Sequence, residues 1–86
     1  SRSAGAYVIL VDGTLAVFVE RGARRLISFT DDPNVMHQSA AGLRRLAARV
    51  KRLEIELING NKAGDTALGA VLKEAGFRHS YKGLRA

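Results

Sequence analysis

AYVILVDGTLAVFVERGARRLISF, residues 6–29, reads as three short strands joined by two tight turns. Residues 7–11, 15–19 and 26–29 are rich in β-branched, aliphatic and aromatic side chains, the types that fill a pleated surface. Asp12-Gly13 lies between the first two and suits a type I′ turn. That turn needs positive φ at both central positions, which Asp tolerates and Gly takes freely. A longer charged loop, Glu20-Arg21-Gly22-Ala23-Arg24, joins the second strand to the third. Three sequential antiparallel strands make a meander that every later element must cover or extend. The unbroken apolar run at 8–11 predicts a first strand buried on both sides, central in the sheet or inside a strongly curled half-barrel.

Downstream, Asp32-Pro33 is a helix start. The carboxylate accepts from otherwise unpaired N–H groups, and Pro has none to lose. The helix is expected over 33–52, with Met36, Ala40, Leu43, Ala47 and Val50 in one stripe and Leu46 beside it. Residues 53–58 (LEIELI) alternate. Leu53, Ile55 and Leu57 should face the core and Glu54 and Glu56 the solvent, in reach of arginines on neighbouring strands. Asn59-Gly60-Asn61-Lys62-Ala63-Gly64 is a polar loop that lacks the Gly-Lys-Ser/Thr ending of a phosphate-binding P-loop. Asp65 or Thr66 caps a second helix over 67–75, with Leu68, Val71, Leu72 and Ala75 on its apolar face and Gly76 ending it in the left-handed conformation. Phe77, His79 and Tyr81 alternate with Arg78, Ser80 and Lys82 in a last strand that Gly83 interrupts. The expected fold is therefore α+β, order β-β-β-α-β-α-β: a curved, mostly antiparallel five-stranded sheet with two helices packed on it.

Eighty-six residues make one domain, with residues 1–5 a linker or tag remnant and 6–86 the folded unit. The absence of cysteine excludes disulfides and thiolate metal sites. The longest apolar run, 6–11, is far short of the roughly 20 residues of a membrane helix. No membrane partner is expected. The two histidines, His37 and His79, are far apart in sequence and give no metal-ligand spacing, so neither a cofactor nor a metal is expected.

Fourteen basic against eight acidic residues leave a formal charge of +6, which favours a polyanionic partner. The cations concentrate on the long helix. Arg45, Arg49 and Arg52 lie opposite the apolar stripe, with Arg44 and Lys51 on a flank and no acid among them. Such a face is either solvated, with the helix macrodipole favouring cations near its C-terminus, or neutralised by phosphates. Arg24, Arg25, Lys82 and Arg85 are auxiliary candidates. The glutamates at 54 and 56 are surface residues rather than a catalytic pair, and no nucleophile–base pair is visible.

With these residues placed, the chain resembles the extreme C-terminal module of the large helicase-related (Lhr) family, in particular its actinobacterial members. Leu10-Val11-Asp12-Gly13 with Glu20-Arg21-Gly22, the helix opening after Asp32-Pro33, and Leu72-Lys73-Glu74-Ala75-Gly76-Phe77 followed by Lys82-Gly83-Leu84-Arg85 carry the likeness. Ser80-Tyr81 stands where the family pattern has Thr-Pro. The resemblance implies a fragment of an ATP-dependent superfamily 2 DNA helicase that moves 3′ to 5′ and is linked to DNA repair. ATP and Mg would belong to the parent motor and no cofactor to this piece. The implied partners are DNA, single-stranded or as an RNA–DNA hybrid, and the remaining domains of the parent, in the cytoplasm with the nucleoid. A non-catalytic nucleic-acid-contacting accessory domain is the first expectation. An interaction or oligomerisation module, with an apolar sheet face left uncovered, is the alternative; a glycosylase fragment is a third.

Overall fold

A computed structural model describes residues 5–50 and 53–86. The meander is as expected. β1 (Tyr7–Val11) pairs antiparallel with β2 (Thr14–Val19), and β2 with β3 (Arg25–Ser28). Asp12 and Gly13 sit at φ 53° and 78°, the positive pair that a type I′ turn requires. Ile9 pairs with Val17 and Leu10 with Leu15, so Ala16 is an extra residue, a bulge that re-aims the strand.

α1 (Pro33–Arg49) starts as its sequence dictates: the Asp32 carboxylate accepts from the Asn34 N–H at 2.9 Å. It ends earlier than expected, because Val50 is already extended at φ −105°, ψ 140°. Lys51 and Arg52 lie outside the described residues. The buried stripe is Met36, Ser39, Ala40, Gly42, Leu43 and Leu46, with Ala47 and Val50 only half-buried. It is thus rolled toward Gly42, whose missing side chain admits Ile9 of β1; a Cβ there would sit 3.0 Å from Ile9 Cγ2. Ser39 is fully buried and satisfied by donating to the Val35 carbonyl at 2.8 Å.

The stretch 53–58 is not one strand. β4 (Glu54–Ile55) and β5 (Leu57–Ile58) belong to different sheets. The Glu56 and Leu57 N–H groups both donate to the Arg24 carbonyl, at 2.7 and 3.2 Å, which is bulge geometry. One residue of slip turns the next side chain over, so the core receives Leu53, Ile55 and then Ile58 rather than Leu57. β5 runs parallel to β3, and β6 (Asn61–Lys62), in the stretch expected to be loop, completes a mixed five-stranded sheet in the order β1-β2-β3-β5-β6. After a 3-10 turn, Ala63–Asp65, α2 (Ala67–Glu74) is capped by Thr66, not Asp65: its hydroxyl accepts from the Gly69 N–H at 2.9 Å. Gly76 takes φ 109° as expected. The tail forms β7 (Arg78–His79) and β8 (Leu84–Arg85), which pair with β4 in a second, three-stranded sheet instead of extending the first. Gly83 lets that chain cross β4, since a Cβ there would collide with the Ile55 carbonyl.

The expected double burial of the first strand does not hold. β1 is the sheet edge, and Val8 and Leu10 are 53% and 57% exposed. The helices cover one face only, closing Val17, Val19 and Leu26 against Leu43, Leu46, Ile55, Ile58, Leu68, Leu72, Phe77 and Leu84.

His37 ties α1 to α2. Its Nδ1 lies 2.8 Å from the Pro33 carbonyl and its Nε2 3.4 Å from Glu74 Oε1. The bond to Pro33 holds the imidazole above its ordinary 6.5; Glu74 acts in the same direction and desolvation opposes both. A group whose folded pKa is raised stabilises fully below its unfolded value and loses that contribution as pH rises through the folded value. His37→Gln should therefore remove a small fall in Tm that the wild type shows by calorimetry as the pH rises above 6.5. In urea titrations, Leu43→Ala should cost about 2–5 kcal/mol by leaving a cavity at the centre of the helix–sheet contact. Gly83→Ala should lower the midpoint as well, by forcing β8 off β4.

Candidate nucleic-acid interface

The cations of α1 occupy its exposed side, so the helix presents its charge outward as its apolar stripe requires. Consecutive residues are about 100° apart around a helix, and the roll of α1 therefore sends Arg44 to one flank and Arg45 to the other. The exposed ridge between them carries Ala41 and Ala48.

On the first flank, Arg45 and Arg49 join Tyr7, Val8, Ile9 and Leu10 in an open groove of about 340 Å³ between α1 and the free edge of β1. Gly42 and Leu46 form its floor. Two guanidiniums, an edge aromatic and unpaired β1 backbone thus share a channel with no carboxylate in its lining. On the second flank, Arg44 meets Arg78 of β7 and Arg85 of β8 across a cleft of about 730 Å³, with His79 and the small residues Ala47, Ala48, Gly76 and Ala86 completing it. Arg44 Nη1 donates to the Ala75 carbonyl at the end of α2, which anchors the guanidinium across the cleft mouth.

The other sequence-predicted cations stand apart from these two tracts. Arg24, in the loop before β3, lies 3.8 Å from Glu56 Oε2. Arg25 is exposed on β3, and Lys82 lines a separate opening with Glu56, Lys62 and Asp65. The structure thus brings Arg45 to Arg49 and Arg44 to Arg85, and does not gather all the candidates on one face. Glu54 accepts from Ser80 Oγ, whereas Glu56 Oε2 is buried, lies 3.8 Å from Arg24 Nη1 and has no hydrogen-bond partner among the described residues. Among the described residues, no three His, Cys, Asp or Glu side chains group as metal ligands, and no helix is long and apolar enough to cross a membrane.

Two contributors to these tracts are not evident from the sequence. Tyr7 reads there only as a strand residue, and Arg78 only as the wet side of a last strand. Alternation marks Arg78 as outward. Its placement beside Arg85 depends on the β7–β8 register, Arg78 opposite Arg85, which local pattern does not encode.

The meander also leaves an uncovered face. Val8, Phe18 and Ile27 form one cross-strand row and Leu10 with Leu15 another, on the side away from the helices. Leu15 and Phe29 are exposed there or at its margin, at 39% and 57%.

No protein-family model matches the chain, and no solved structure matches it. Among known proteins, the chain is 40% identical over 93 aligned residues to a protein of Mycolicibacterium smegmatis named Lhr helicase/probable uracil glycosylase. The match takes in 98% of this chain but spans only 6% of the relative's length. The resemblance carried by the Asp-Gly turn, the Asp-Pro helix start and the Gly-Leu-Arg ending is thereby borne out: along nearly its whole length, the chain is similar to one small part of an Lhr helicase.

Proposed function

We propose that this domain is a non-catalytic accessory module, C-terminal in an ATP-dependent 3′–5′ DNA helicase of DNA repair, and that it contacts single-stranded nucleic acid through the cations of α1. The observation that carries this reading is the α1–β1 groove. Arg45 and Arg49 offer point charges for consecutive phosphates, and Tyr7 and the apolar edge of β1 offer a surface on which bases can lie. Charges of this kind position a strand without reading its sequence. ATP and Mg would act in the motor of the longer chain, at a distance from this module. The relative's name speaks for a helicase setting and therefore for nucleic acid nearby.

A second reading rests on a separate observation, the uncovered apolar sheet face of Val8, Leu10, Leu15, Phe18 and Ile27. An exposed apolar surface on so small a domain favours a protein partner, and the partner supported best is the rest of the longer helicase chain. The two surfaces meet at the β1 edge, where Val8 and Leu10 belong to both, and they diverge from there to Arg45 and Arg49 on one side and to Leu15, Phe18 and Ile27 on the other.

Fluorescence anisotropy with a labelled oligothymidylate, titrated with salt, tests the first. Arg45→Ala/Arg49→Ala should weaken binding at low salt and reduce the magnitude of the log–log salt slope by about 1.4, at about 0.7 for each phosphate left unneutralised. A wild-type chain that binds no DNA at low salt would exclude it. For the second, Leu15→Lys/Phe29→Lys, at exposed positions outside the α1–β1 groove, should leave stability within about 0.5 kcal/mol. The same change should abolish capture of the remainder of the helicase chain supplied in trans.

A further inference from the structure

The β7–β8 register creates an electrostatic conflict that the fold does not resolve internally. Arg78 and Arg85 are directly opposite in an antiparallel pair, an arrangement that like charges destabilise. Arg44 approaches the same space from α1, so three guanidiniums line one cleft together with Ala86, and no Asp or Glu side chain does. Glu54 lies opposite Arg85 across β4 and β8, with its carboxylate accepting from Ser80 Oγ, so one acid flanks the arginine row without closing an ion pair to it. The ion pairs among the described residues, Arg24–Glu56 and His37–Glu74, involve none of the three arginines.

The cleft is also shaped for a compact occupant. Its walls are Ala47, Ala48 and Gly76, residues without bulk, and it measures about 730 Å³. At Gly76 a side chain would meet the Arg44 guanidinium, and φ 109° disfavours any residue but Gly. The Ala75 carbonyl takes one N–H of Arg44 and leaves the rest of the guanidinium fork available. Planar forks match the oxygens of a tetrahedral oxyanion in a way that a solvated cationic surface does not need.

We propose that Arg44, Arg78 and Arg85 form a phosphate-binding site, separate from the α1–β1 groove. The inference deepens the nucleic-acid reading and rests on it: a strand lying on the Arg45–Arg49 side would cross the end of α1 and place one phosphate in this cleft. The same chemistry is satisfied by free phosphate, so the test separates the two sources.

Thermal unfolding of the 86-residue chain is followed in sodium phosphate and in sodium chloride at matched ionic strength, and oligothymidylate binding is measured in parallel. Arg78→Gln and Arg85→Gln relieve the cross-strand repulsion and should raise the Tm without ligand. Each should also lose the phosphate-specific gain in Tm and weaken oligothymidylate binding about tenfold, the scale of one charge-assisted contact. A gain in Tm with phosphate that needs Arg78, in a chain that binds no DNA, would support the site with free phosphate as its ligand and remove the nucleic-acid reading. If Arg45→Ala/Arg49→Ala weakens DNA binding while Arg78→Gln and Arg85→Gln bind DNA and respond to phosphate as wild type does, the cleft proposal is overturned and the nucleic-acid reading stands. Absence of any phosphate-specific gain in the wild type, with DNA affinity unchanged in both glutamine variants, overturns it equally.

Discussion

The contact between the apolar stripe of α1 and the inner face of the meander determines nearly everything else in this domain. Leu43 is fully buried, and Ala40 and Leu46 nearly so, against a sheet face that includes Val17, Val19 and Leu26. Each buried aliphatic side chain of this size contributes about 1.5–3 kcal/mol. With no disulfide to constrain the unfolded chain, that contact is the main force opposing conformational entropy. Its detailed geometry is set by a small residue. Gly42 brings the α1 backbone close to Ile9 and thereby rolls the helix toward β1. The roll that optimises packing also divides the guanidiniums: Arg45 and Arg49 go to the sheet edge, and Arg44 goes to the second sheet. Arg45 and Arg49 are thus placed by the packing of the core, whereas Arg44 is also held by the Ala75 carbonyl.

The second determinant is the bulge at Glu56 and Leu57. Without it, residues 53–58 would form one strand with a single wet side. The slip ends pairing with β8 after Ile55 and begins pairing with β3 at Leu57, so one short segment serves two sheets. That division places β7 and β8 beside the C-terminal half of α1, and it is why Arg78 and Arg85 reach Arg44 at all. Burial follows the same switch, with Ile55 and Ile58 both in the core although their spacing does not fit one strand face.

Much of this is legible in the sequence, and what is legible is local. The Asp12-Gly13 turn, the Asp32 cap, the helical stripe through Met36, Ala40 and Leu43, and the glycine ending of α2 all follow from residues within a few positions of one another. The α+β class follows from their order. What the sequence hides depends on partners far along the chain. The run at 8–11 is apolar enough for a central strand, but position in a sheet is decided by which strands pair, and nothing pairs beyond β1. Alternation over 53–58 looks unbroken because a bulge leaves no mark in a pattern of Leu, Ile and Glu. The sheet to which the tail belongs is hidden for the same reason. For the candidate site, the abundance of cations on α1 is evident from the sequence. Their partition between two flanks requires the roll of the helix, and the Arg78–Arg85 juxtaposition requires the register of two-residue strands.

A sequence selected for stability alone would resolve its local conflicts, and those it retains are informative. Here the retained conflicts have a common sign. Arg45 and Arg49 repel along one helix face, Arg78 and Arg85 repel across one strand pair, and none of the four closes an ion pair among the described residues. By contrast, Asp31 and Asp65 gather around a different opening, of about 580 Å³, between the end of β3 and the start of α2. The two flanks of α1 are therefore cationic tracts, while elsewhere acids and bases are mixed, as around the opening shared by Glu56, Lys62, Asp65 and Lys82. A local excess of one sign biases the field on the helix side toward anions. The apolar face beyond the meander lies on the other side of the sheet from α1 and touches the Arg45–Arg49 groove only at Val8 and Leu10, so a protein partner centred on Leu15, Phe18 and Ile27 would leave the arginines of both tracts open. A domain held by one helix–sheet contact can in this way offer two chemically different surfaces without either competing with the packing that supports it.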